Sequence, residues 1–88
     1  MNIRKIIDNA KQLCLFGVGM LLNECYDQLV FFLGREPEFL CDNAPVKWGA
    51  TFHGRTCISP DELDRRKDGT AVIITVRQYE EILRQLRA

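Results

Sequence analysis

The stretch Leu13-Cys14-Leu15-Phe16-Gly17-Val18-Gly19-Met20-Leu21-Leu22 constrains the fold more than any other part of the chain. A continuous apolar run ends in Gly-x-Gly and passes at once into an amphipathic run. A strand covered on both faces reads this way when it turns directly into a helix. The first glycine permits a tight turn. The second removes a Cβ where a ligand could approach the backbone, and the helix N-terminus behind it favours an anion.

The chain has 88 residues, which is room for one α/β domain spanning 1–88: an N-terminal helix over 1–11 and a core over 12–88. Apolar residues make up 47%, enough for a real core rather than a disordered segment. Twelve basic residues balance twelve acidic ones, so global charge gives no argument for nucleic acid or an anionic membrane surface. No apolar run approaches the ~20 residues of a membrane span. The N-terminus lacks the apolar core of a signal peptide, and a cytoplasmic protein is expected. Cys14, Cys25, Cys41 and Cys57 form no C-x-x-C pair and read as free, buried thiols, with no metal-ligand spacing even when His53 is counted.

Ile3, Ile6, Ile7 and Ala10 recur at helical spacing. After the Gly17–Gly19 turn a second helix is expected from about Met20 to Leu33, with Gly34 as its stop. Its apolar face is Leu22, Cys25, Tyr26, Leu29, Val30 and Leu33; Phe31 falls on the polar side and could seed a dimer contact. Residues 37–41 form a second strand that ends in Asp42-Asn43. Residues 44–57 are irregular, with Thr51-Phe52-His53-Gly54 as a small hairpin or loop. Thr56-Cys57-Ile58 is a short strand. Ser59-Pro60-Asp61-Glu62 opens a short helix to about Arg66, with Ser59 as cap and Glu62 completing a capping box. Thr70 to Val76 is a β-branched strand, and a last helix begins near Gln78.

Strands alternating with helices predict an α/β, Rossmann-like three-layer domain. Its sheet is expected to be mainly parallel, of about four strands in the order 3-2-1-4, preceded by the N-terminal helix. Gly17, Val18, Gly19, Met20, Asp42, Asn43, Val76 and Arg77 then face one crevice at the carboxyl ends of the strands. Asp42 lies close to the ~20 residues beyond the glycine turn at which a ribose-binding carboxylate is expected.

Several of these segments together resemble a known domain. They are Lys11-Gln12-Leu13-Cys14-Leu15-Phe16-Gly17-Val18-Gly19, Phe39-Leu40-Cys41-Asp42-Asn43, Lys47-Trp48-Gly49, Cys57-Ile58-Ser59-Pro60 with Glu62-Leu63, and Val72-Ile73-Ile74-Thr75. The pattern is similar to the small Rossmann-like domain at the N-terminus of bacterial polysaccharide-biosynthesis proteins, among them PglD-type sugar acyltransferases and nucleotide-sugar dehydratases and epimerases. The resemblance implies a module that holds the nucleotide of a nucleotide-linked sugar while a separate domain supplies catalysis. It implies Gly17, Val18 and Gly19 as the phosphate-side loop and Asp42 beside the ribose or base. Where a dinucleotide fingerprint wants a third Gly or Ala this chain has Leu22, so a UDP-sugar is the expected ligand before NAD(P).

No set of residues reads as catalytic. His53 lacks an orienting partner and a nucleophile. Asp61, Glu62 and Asp64 are explained by the helix start they occupy. Arg65-Arg66-Lys67 reads as solvated surface. Arg77 either meets a phosphate or pairs with Glu80 or Glu81. Trp48 either stacks on a base or packs its loop on the sheet edge. The expected function is a noncatalytic nucleotide or nucleotide-sugar binding module. The alternatives are a structural or dimerisation module without a ligand, and an NAD(P)-binding fragment of a sugar-nucleotide-modifying enzyme. Expected partners are the nucleotide-sugar and either a second copy or a catalytic domain on another chain, with neither nucleic acid nor membrane insertion.

Overall fold

A computed structural model describes residues 3–87. Met1, Asn2 and Ala88, included in the expected span, lie outside the described residues. Helix α1 (Ile3–Asn9) leads into β1 (Gln12–Phe16) and α2 (Met20–Leu33). Strand β2 (Phe39–Cys41) follows, then a 3-10 turn (Pro45–Lys47), β3 (Thr51–Phe52) and β4 (Arg55–Ile58). Helix α3 (Pro60–Arg65), β5 (Thr70–Ile74) and α4 (Glu80–Arg87) complete the chain.

The strands form one mixed sheet in the order β3-β4-β2-β1-β5. Four of them, β4, β2, β1 and β5, are parallel, and they stand in the order expected for the four strands read from the sequence. The expectation of a four-stranded sheet is corrected. A fifth strand, β3, pairs antiparallel with β4, Thr51 opposite Thr56 and Phe52 opposite Arg55. The cause is the two-residue turn His53-Gly54, in which both residues take positive φ (54° and 77°). A turn of that hand matches the twist of the strands it joins.

Side chains alternate across the sheet as the pleat requires. On one face Leu13, Leu15, Leu40 and Cys57 pack against Ile7 of α1 and Leu22, Tyr26 and Leu33 of α2. On the other, Cys14, Phe16, Phe39, Cys41 and Ile58 pack against Leu63 of α3, with Ile82 of α4 and Val72 partly buried beside them. Helix α4 has no fully buried residue. Burial holds the Cys41 thiol up at about 12, against an ordinary 9.0, and raises Cys14 and Cys57 in the same direction.

The helix ends follow from local chemistry. Gly34 closes α2 in the left-handed conformation, its N–H donating to Val30 O at 2.9 Å. Arg4 donates to the carbonyls of Phe32 and Leu33, so α1 satisfies the end of α2. Arg35 answers from the other side with bonds to Ile7 O and Ala10 O at 2.8 and 2.9 Å. Ser59 caps α3 through Glu62 N–H at 3.1 Å. The reciprocal half of the expected capping box is absent. The Glu62 carboxylate bonds Arg66 (2.8 Å) and Arg65 (3.1 Å), which hold its carboxyl below the usual range.

Candidate functional site

Helix α2 leaves β1 toward one face of the sheet, and α4 follows β5 on the other. Between the carboxyl ends of these two neighbouring strands lies a cavity of about 350 Å³. It is lined by Gly19, Met20, Leu21 and Glu24 of the turn and α2, and by Thr75, Val76 and Arg77 beyond β5. Parallel sheets place ligand crevices where neighbouring helices diverge in this way.

The two glycines have different jobs. Gly17 has φ +117°, and a Cβ there would stand 2.5 Å from Val76 Cγ1. Its N–H donates to Cys41 O at 2.8 Å, which ties the turn to β2. Gly19 has an ordinary extended backbone, φ −126°, and a Cβ there would meet nothing within 4 Å. It stands at the start of α2, where no side chain caps the helix. The first intrahelical bond runs from Asn23 N–H to Gly19 O, so the amides of the first turn open toward the cavity.

Thr75 is buried, and it locks the far wall. Its N–H donates to Phe16 O at 2.8 Å, and its hydroxyl sits 2.8 Å from Gly17 O and 3.0 Å from Phe16 O. Arg77 is exposed and pairs with neither Glu80 nor Glu81; it has no partner among the described residues. The cavity therefore holds the positive end of a helix dipole, one unpaired guanidinium and one carboxylate, Glu24.

Asp42 and Asn43 stand on the opposite side of the turn and do not line this cavity. Asp42 Oδ2 accepts from Val18 N–H at 2.7 Å, and its Oδ1 accepts from Ala44 N–H at 2.8 Å. Lys47 Nζ lies 3.6 Å from the same carboxylate and donates to Val18 O. The carboxylate is thus engaged with the protein's own backbone, and so is the Val18 amide. Asn43 exchanges two bonds with Gln85 of α4, at 3.1 and 3.0 Å. Trp48 Nε1 donates to Asp42 O at 2.7 Å, leaving the ring 42% exposed beside the turn.

The structure brings Gly19, Met20, Val76 and Arg77 together, with Gly17 and Val18 as the support behind them. Sequence reasoning missed Thr75, Glu24 and Lys47. Thr75 had a signal, since it is the polar residue that ends the β5 run directly after Ile74. Lys47 had none, coming from an irregular loop 29 residues away from its partner Val18.

His53 is remote from the cavity. Its ring stacks on Tyr26, centroids 4.3 Å apart and 4° from parallel, and its Nε2 is 2.9 Å from Asn23 Oδ1. The Tyr26 hydroxyl is buried beside the Arg55 guanidinium, which pairs with Glu36 at 2.8 Å. No group of three His, Cys, Asp or Glu side chains among the described residues is arranged to hold a metal ion. No described helix is long and apolar enough to cross a membrane. Comparison with known proteins finds no matching family model, no matching curated protein and no matching solved structure.

Proposed function

We propose that the chain is a noncatalytic binding module of Rossmann-like type for a nucleotide or nucleotide-linked sugar, serving a catalytic domain on another chain. The observation that carries this reading is the cavity between the ends of β1 and β5, in which the uncapped start of α2 faces the unpaired Arg77. Free N–H groups and a guanidinium suit a phosphate or diphosphate. The volume is in the range of small-ligand sites. The engaged Asp42 carboxylate and the bulk of Leu22 favour a UDP-sugar over NAD(P), because neither supports the usual dinucleotide pose. Among the described residues of the lining Glu24 and Arg77 are the ionisable groups, and the Thr75 hydroxyl is tied up with Phe16 O and Gly17 O. The resemblance of the glycine turn and Phe39–Asn43 to polysaccharide-biosynthesis domains supports a role in that chemistry.

The test is titration of isotopically labelled protein with UDP, a UDP-sugar, NAD+ and inorganic diphosphate, followed by amide NMR. Shifts centred on Gly19, Met20, Leu21 and Arg77 are expected with UDP and the UDP-sugar. Absence of shifts with all four at millimolar concentration would sink the reading.

A second reading is a module that keeps the fold without a ligand and serves dimerisation. Phe31 at 89% exposure and Phe32 at 74%, side by side at the end of α2, favour it.

A further inference from the structure

The two edges of the sheet are unlike. Strand β3 ends one side with two residues and a tight turn. Strand β5 ends the other with five residues, Thr70-Ala71-Val72-Ile73-Ile74, all half-buried and none charged. Edge strands are ordinarily blunted by a lysine, a proline or a bulge. Strand β5 has none of these, and its register against β1 runs unbroken from Gln12–Thr70 to Phe16–Ile74.

Its backbone directions can be assigned. Gln12 N–H donates to Gly69 O at 3.1 Å, and Thr75 N–H donates to Phe16 O at 2.8 Å. A parallel ladder engages alternate residues of a strand, so Ala71 and Ile73 turn their main-chain groups to β1. Thr70, Val72 and Ile74 turn theirs outward. The Thr70 N–H is taken by Lys67 O at 3.1 Å. Val72 and Ile74 keep both donor and acceptor free of protein partners at the sheet edge, the template an added strand uses.

We propose that β5 pairs with β5 of a second copy, antiparallel, about a twofold axis at Ile73. In that register Val72 of each copy faces Ile74 of the other, and the two pairs exchange four main-chain hydrogen bonds. Val72 and Ile74 meet on one face and the two Ile73 side chains on the other, so apolar groups cover apolar groups. The occupant is a second copy because the two free positions, spaced two residues apart, complement each other under the twofold. An uncharged strand in a chain with twelve basic and twelve acidic residues also meets no repulsion from its own image. An edge this short gives a small interface, so the dimer dissociates on dilution. This inference is independent of ligand binding.

The test combines sedimentation with amide hydrogen exchange at high and low protein concentration. The Val72 and Ile74 amides are expected to slow at least tenfold as the dimer forms, while those of Ala71 and Ile73 stay protected throughout. Ile74→Pro removes a donor that points away from β1 and is expected to give a monomer that keeps Ala71 and Ile73 protected. If that variant does not fold, the exchange pattern of the unmodified chain decides alone. A monomer at all concentrations overturns the proposal. So does a dimer with Val72 and Ile74 still exchanging freely, or one that Phe31→Glu dissolves and Ile74→Pro leaves intact.

Discussion

The Asp42 carboxylate accepts the amide proton of Val18 at 2.7 Å, joining the end of β2 to the middle of the glycine turn. The same group holds Ala44 N–H and lies beside Lys47, so one side chain organises both the turn and the loop after β2. Asp42→Ala leaves the Val18 amide without its acceptor and Lys47 without its counter-charge. It is expected to cost about 2–4 kcal/mol, since hydrogen bonds to a charged group are worth about 1.5–3 kcal/mol each. Asp42→Asn, which keeps one acceptor, costs less. Urea unfolding of the three proteins measures both.

The two glycines of the turn separate stability from binding. Gly17→Ala forces a side chain into a positive φ and against Val76, and is expected to destabilise by about 2–3 kcal/mol. Gly19→Ser adds a side-chain cap to a helix that lacks one, and is expected to stabilise by about a few tenths of a kcal/mol. The new hydroxyl occupies the first-turn amides, so the same variant is expected to weaken binding of UDP. Thermal unfolding and calorimetric titration of one preparation read the two effects.

Charge around the cavity gives opposite predictions for two residues. Arg77→Ala is expected to weaken UDP binding about tenfold through loss of a charge-assisted hydrogen bond. Glu24→Gln removes a like charge from the anion's surroundings and is expected to strengthen binding about threefold at low salt, less at high salt. Titrations at two ionic strengths check both signs.

Buried thiols make the fold sensitive to alkali. Burial raises Cys14, Cys41 and Cys57 above an ordinary 9.0, Cys41 to about 12. In acid and neutral solution both folded and unfolded thiols are protonated, and the contribution is complete. As pH rises past the unfolded value only the unfolded chain ionises, so stability falls with each further unit toward the folded value. Cys41→Ala is expected to flatten that decline between about pH 9 and 11 in urea unfolding. In the native protein a thiol reagent is expected to reach half-buried Cys25 first, and the other three only on unfolding.

The stack of His53 on Tyr26 pins the β3–β4 turn to α2. Tyr26→Phe keeps the ring stack and removes only the hydroxyl beside Arg55, and is expected to change stability by less than about 1 kcal/mol. His53→Ala keeps a positive φ without the ring contact and is expected to cost about 1–2 kcal/mol. Denaturation midpoints of the pair separate the hydroxyl from the stack.

Much of the architecture was legible because it rests on local signals. The apolar run of Leu13–Phe16, the β-branched run before Thr75 and the stop at Gly34 set three elements and their succession, and succession with right-handed crossovers restricts strand order. Strand β3 was only half legible. Two residues carry no periodicity, and the hairpin depends on His53 accepting a conformation that its type adopts infrequently. The site was less legible still. Asp42 stands at the expected spacing, yet spacing cannot reveal that its acceptors are filled by the amides of Val18 and Ala44. Lys47 and Thr75 reach the turn across long separations in sequence. Glu62 has the position of a capping-box residue, but two arginines one turn ahead compete for it.

The brevity of β3 has a consequence for how copies of this chain can accumulate. A fibre grown through sheet edges needs two adhesive ends on every subunit, one to receive and one to offer. Here one end is β3, whose two residues leave an incoming strand little to pair with. A subunit that joins another through β5 has only that two-residue edge left to extend with, so edge-to-edge growth is expected to stop at a pair.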